Sequence, residues 1–159
     1  MIKYYQCMYD SVKMGEYLAS YATQRGYFIN QTKLQKLLYI LYGGYLANFN
    51  ASLLNEHPKA WPYGPVFPRV QKKFAKVGGN LAYANIDSEE FADINADNNV
   101  KRLIDDVLQT FGGWTAQTLS VWSHKEGSPW AQALIANNME YNAVISDDSI
   151  KKYFEGIMS

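Results

Sequence analysis

Cysteine is nearly absent: Cys7 is the only one in 159 residues. An internal disulfide framework is therefore excluded, and with only His57 and His124 as imidazoles the soft ligands are too few for a zinc set. No metal and no cofactor are expected. Long apolar runs are missing as well. The N-terminal MIKYYQCMY lacks the apolar core of a signal peptide, and nothing approaches the roughly 20 apolar residues of a membrane span, so the expectation is a soluble cytoplasmic protein with no membrane partner. Neither charge is in excess: 15 Lys and Arg balance 15 Asp and Glu, which does not suggest a nucleic-acid partner. The length fits a single domain over residues 1–159 with a core of its own.

Proline is scarce too, yet three of the five fall within Ala60-Trp-Pro-Tyr-Gly-Pro-Val-Phe-Pro-Arg-Val70. That density reads as a rigid corner in place of an ordinary strand or helix. Around it, apolar spacing follows the helical period and predicts an all-α domain of about six or seven helices. A first helix starts near Asp10 or Ser11 and stops at Gly26. The central one spans about 31–49, where Leu34, Leu37, Leu38, Leu41, Tyr42, Tyr45, Leu46 and Phe49 share a face and Asn30 or Thr32 supplies the cap. Its other side holds Ile40, Gly43, Gly44 and Ala47, small residues that invite a close helix, and also Lys36, which either snorkels to solvent, the usual fate of a helical lysine, or is less solvated than a typical one.

An amphipathic helix is predicted over Arg69–Val77, with Val70, Phe74 and Val77 inward and Arg69, Lys72, Lys73 and Lys76 outward. Residues 87–99 read as a loop with a short helical turn. Three stripes follow: Val100 to Phe111, starting at Asp97 or Asn98, a short helix capped by Thr115, and one opened by Ser128-Pro129. Asp147 is expected to cap a last helix, Ser149–Met158. Strand is confined to small pieces near 27–29, 53–61 and 142–146.

A catalytic set is hard to assemble from these residues. Gly43-Gly44 and Gly78-Gly79 lack any phosphate-loop context, and Glu56-His57 reads as a surface pair. His124 lies between Trp122 and Trp130, as a helix cap or a general base, with no second imidazole or carboxylate near it in sequence. The reading of the residues ends at a helical binding domain, not an enzyme, in which 13 tyrosines and four tryptophans serve core or recognition surface.

Thr32-Lys-Leu-Gln-Lys-Leu-Leu-Tyr39, Ala60-Trp-Pro-Tyr-Gly-Pro-Val66, and Leu119-Ser120 with His124 and Pro129-Trp130 come in an order and spacing that resembles the SocA-like Panacea family, also described as phage-associated and GepA-like. The resemblance spans about residues 10–135. It implies an antitoxin that neutralises a cognate toxin, often the product of an adjacent gene, by direct binding, with delivery to the ClpXP protease as a variant mechanism. The matching residues Lys33, Lys36, Trp61, Tyr63, Gly64, Pro65, His124, Pro129 and Trp130 are the candidate site, as scaffold or as partner contacts. In the scaffold version Gly64 supplies a special backbone conformation, Pro65 and Pro68 fix the exit direction, and Trp61 and Tyr63 pack on the helix carrying Leu37 and Leu41. Neither end carries an evident DNA-binding extension, so autorepression is not carried over. The alternatives are a nucleic-acid-binding regulator using Arg69, Lys72, Lys73 and Lys76, and an enzyme using His124.

Overall fold

The computed structural model describes residues 8–79, 81 and 84–158; Cys7 lies outside them. The described chain is mainly helical, with α1 (Ser11–Gln24), α2 (Gln31–Phe49), α3 (Pro68–Phe74), α4 (Ala92–Asn95), α5 (Asn98–Phe111), α6 (Ala116–Ser123), α7 (Pro129–Ala136) and α8 (Asp147–Met158). Three short strands, β1 (Lys59–Trp61), β2 (Gly64–Val66) and β3 (Ala143–Val144), form an antiparallel sheet of order β2-β1-β3. None of these helices is long and apolar enough to cross a membrane.

Local chemistry sets most helix starts. Asp10, Asn30, Asp97, Thr115 and Ser128 each accept a hydrogen bond from the backbone N–H three residues on, which satisfies a donor the helix leaves free. Gly26, at φ 89°, ends α1 in the left-handed region. For α8 the cap is Ser146, whose hydroxyl accepts from Ser149 N–H, and Asp147 is already the first helical residue. Three further expectations change. α3 stops at Phe74, so Val77 lies beyond it and is exposed. The acidic stretch before α5 holds two turns, a 3-10 turn at Glu89–Phe91 and then α4, because Phe91 and Ile94 reach the core. Residues 27–29 form no strand, whereas Gly64–Val66, inside the proline-rich corner, does.

Helix α2 is the hub, buried from Lys33 to Leu46 without a solvent face. Its glycines explain how two helices reach it: Gly43 lies directly against the Phe154 ring of α8, and Gly44 faces Leu103 of α5. Tyrosines bolt the rest together. The hydroxyls of Tyr9, Tyr17 and Tyr42 donate at 2.6 Å to Asp97, Asn95 and Asp147, and Tyr21 donates to Asp105. Each acceptor stands 78 or more residues away in sequence, so each tyrosine ties its own segment to a distant one. Burial and the neighbouring carboxylates push these phenols up, Tyr21 to about 12, so they stay neutral donors.

Candidate functional site

The proline-rich corner is a β-hairpin. Lys59 pairs with Val66, Ala60 with Pro65 and Trp61 with Gly64, leaving Pro62-Tyr63 as its two-residue turn. The prolines fit because each stands where no N–H is required: Pro62 in the turn, Pro65 on an edge strand and Pro68 in the first turn of α3.

An edge strand with unpaired carbonyls is costly to bury, and here side chains from three helices cover them. Trp130 Nε1 of α7 donates to Trp61 O at 2.7 Å, Ser120 Oγ of α6 to Tyr63 O at 2.6 Å, and Lys36 Nζ of α2 to Pro65 O at 3.1 Å. Gln35 completes the row from α2: its Nε2 donates to Phe67 O at 3.3 Å while its Oε1 accepts from Phe67 N–H at 2.8 Å. The accepting carbonyls run round the hairpin, from Trp61 at the end of β1 through Tyr63 in the turn and Pro65 in β2 to Phe67 before α3. At about 1 kcal/mol each, such bonds together fix the hairpin against α2, α6 and α7.

Gly64 sits at the centre. Its φ is 116°, and a Cβ there would stand 2.5 Å from Ser123 Oγ and 2.9 Å from Lys36 Cε. Both backbone angle and space demand glycine. Lys36 is 2% exposed, its amine bonded to a carbonyl and desolvated, which pushes its pKa down to about 8. Snorkelling to solvent, the usual fate of a helical lysine, does not occur, because α6 and the hairpin cover this side of α2. Lys33 is also buried, and desolvation lowers its pKa.

The remaining motif residues divide. Pro129 opens α7 behind its Ser128 cap, and the His124 ring packs edge-on against Trp130 with centroids 5.3 Å apart. His124 ends α6, and its Nδ1 is buried without a hydrogen-bond partner among the described residues. Trp61 donates from Nε1 to Asn142 Oδ1 at 3.0 Å. Tyr63 does not pack on α2: the turn holds its side chain outward, 76% exposed, and only its carbonyl is engaged. Gln35, Ser123 and Asn142 belong to this site although they are not among the candidate residues read from sequence, and so does Ser120, which the Leu119-Ser120 motif contains but the candidate set omits. A polar Gln35 amid the buried run of α2 was the available signal.

The basic residues of α3 are not a free stripe. Arg69 binds Asp10 Oδ1 at 2.8 Å, Ser11 Oγ and Asn55 Oδ1 at 3.2 Å, and its N–H donates to Glu56 Oε2. Lys73 lies 3.8 Å from Glu16, while Lys72 and Lys76, the latter beyond the helix end, have no ion pair among the described residues. Glu56 and His57 do not face each other; His57 Nδ1 meets Tyr42 OH at 3.2 Å and Asp147 at 3.5 Å. No three His, Cys, Asp or Glu among the described residues gather to hold a metal ion.

Buried Lys36 makes a pH prediction. Below about pH 8 the amine is charged in both folded and unfolded chains, and its full burial cost opposes folding. Above that value the folded amine has released its proton and the unfolded one has not, so stability rises with pH by roughly 1.4 kcal/mol per unit until about 10. Wild type is therefore expected to gain about 2 kcal/mol between pH 8 and 9.5 relative to Lys36→Met. Urea unfolding at each pH measures it; parallel curves for the two proteins would contradict a buried charged amine.

Residues 34–131 match the family model described as "Antitoxin SocA-like, Panacea domain". Over 137 residues the chain is 31% identical to "Antitoxin SocA" of Caulobacter vibrioides (strain NA1000 / CB15N), an alignment covering 79% of this chain and 72% of that protein. No solved structure matches the chain.

Proposed function

We propose that this chain, which belongs to the SocA-like Panacea antitoxin family, neutralises a cognate toxin by direct protein–protein binding. The observation that carries the reading is the match to an antitoxin over most of the chain, with the match to the family model spanning the hairpin and the helices that clamp it. The geometry favours a binding role over catalysis. Lys36 and Ser123 are buried, and Lys36 and Ser120 bind backbone carbonyls, so these groups are committed to holding a shape. Family membership likewise supports a non-catalytic protein. The nucleic-acid alternative loses one of its four basic residues outright, since Arg69 is engaged by Asp10 and its neighbours.

The test is growth rescue. Expression of the polypeptide encoded beside this gene is expected to arrest growth, and co-expression of this chain to restore it, with the two proteins eluting together in size exclusion. Toxicity that persists although both are soluble, with no complex, would sink the neutralisation reading.

A further inference from the structure

Two buried side-chain polar atoms stand without a hydrogen-bond partner among the described residues, Tyr39 OH and His124 Nδ1. A buried group in that state has lost its hydration and gained no bond in return, so each calls for an explanation. Tyr39 is 1% exposed on α2, its ring edge-on to Phe154, and the titratable neighbour that acts on its hydroxyl is Tyr153 of α8. The His124 ring rests on Trp130, in the first turn of α7. Both lead to one place, where the start of α7 meets α8.

A pocket of about 220 Å³ opens there, lined by Gly127, Pro129, Gln132, Ser149, Lys152 and Tyr153. Its donors are left over from the fold. Ser128 Oγ accepts from Ala131 N–H and Ser128 O from Gln132 N–H, and Pro129 has no N–H to give, which leaves the Trp130 N–H without an acceptor among the described residues. A free N–H at the positive end of a helix is a donor to oxyanions. Lys152 adds a full charge: it is exposed and forms no ion pair among the described residues, whereas Lys151 is bound to Glu155 at 2.8 Å. Tyr153 OH and the Gln132 amide, likewise without partners there, are two neutral donors, and burial pushes the Tyr153 phenol up, so it keeps its proton. The Ser149 hydroxyl is engaged by Ser146 O. No carboxylate lines the pocket; Glu126 and Asp148, the nearest acids in sequence, are not among its lining residues. A cation finds no counter-charge in this wall, and an apolar group would strand its donors.

We propose that this pocket binds the phosphate group of a small molecule, held by the Trp130 N–H and the Lys152 amine, with Tyr153 and Gln132 completing its donors. Lysine acts as a point charge beside a helix N-terminus, and donors arriving from two helices surround a tetrahedral oxyanion better than a planar carboxylate. The Tyr39 hydroxyl thereby acquires a role. Once Tyr153 donates to the ligand, its oxygen accepts from Tyr39, so a buried hydroxyl that touches no phosphate oxygen strengthens the bond of one that does. His124 packs behind Trp130, the residue whose N–H makes the contact. The site does not depend on the antitoxin reading.

Titration of the full chain with inorganic phosphate at fixed ionic strength, followed by amide NMR, tests this. The Trp130 amide is expected to shift and saturate with phosphate, and to respond far less to acetate. Lys152→Met and Tyr153→Phe are each expected to weaken binding roughly tenfold, the worth of one charge-assisted hydrogen bond. Tyr39→Phe separates ligand binding from packing: deleting an unpaired buried hydroxyl leaves the free protein at least as stable, yet is expected to weaken phosphate binding about threefold. A Trp130 amide that ignores phosphate, or that responds equally in Lys152→Met, would overturn the site. Acetate bound as tightly as phosphate would overturn the phosphate assignment, and unchanged affinity in Tyr39→Phe would remove the relay through Tyr153.

Discussion

Gly64→Val is expected to lower the thermal midpoint by roughly 8–16 °C, corresponding to about 4 kcal/mol at the usual 2–4 °C per kcal/mol for a chain of this size. Two costs combine. A β-branched residue at φ 116° is strained, on the order of 1–3 kcal/mol, and its side chain meets Ser123 Oγ and Lys36 Cε at distances no real Cβ tolerates. Neither neighbour has room to retreat: Lys36 is tied to Pro65 O, and Ser123 Oγ donates to Ser120 O at 2.8 Å. Gly127→Val separates the two costs, since Gly127 also has a positive φ, 83°, but open space where a Cβ would be. It is expected to lose only the strain. If Gly64→Val melted no lower than Gly127→Val, the packing of Lys36 and Ser123 around the hairpin would not be what holds it. An unchanged midpoint with loss of the toxin complex would instead make the corner part of the interface.

The contrast between caps and corner shows what could be read from sequence and what could not. Asp10, Asn30, Asp97, Thr115 and Ser128 bond three residues on, so helix starts are written in adjacent letters and were recovered. The same periodicity placed Lys36 on the small-residue side of α2 and left two fates open, lower solvation or the more usual snorkelling, of which the structure shows the first. Its acceptor was not readable, because Pro65 stands 29 residues away and meets Lys36 only once the hairpin docks. Gln35 with Phe67 and Trp130 with Trp61, 32 and 69 residues apart, are hidden for the same reason. Of the hairpin, β1 falls within the strand piece expected near 53–61, whereas β2 was missed because the prolines argue against a strand until one knows which N–H groups the sheet needs. Tyr63 was misplaced by treating an aromatic in a motif as a packing group; the turn uses its carbonyl and leaves the ring in solvent.

Gly43→Val and Gly44→Ala, adjacent on α2, are expected to have opposite signs. A Cβ at 43 would overlap the Phe154 ring, and that ring is boxed in by Tyr39, Trp122 and Tyr153 at centroid distances of 5.6, 6.2 and 5.7 Å. Since Phe154 cannot step aside, α8 must move off α2, an overpacking cost of about 3 kcal/mol that the better helix propensity of valine offsets only slightly. At 44 the added methyl would meet Leu103 at 3.4 Å, an ordinary contact, beside a cleft of about 280 Å³ lined by Ile40, Val107 and Phe111. Gly44→Ala therefore gains up to about 1 kcal/mol from the lower entropy of alanine in a helix. Urea titration of both variants decides the matter. Combining Gly43→Val with Phe154→Ala supplies the internal check: the valine then fills space the ring has left, so the double variant is expected to be more stable than the sum of the two losses by about 1–3 kcal/mol. Strict additivity would mean that α8 does not rest on α2 through this glycine, and that the small-residue face of the central helix serves some other neighbour.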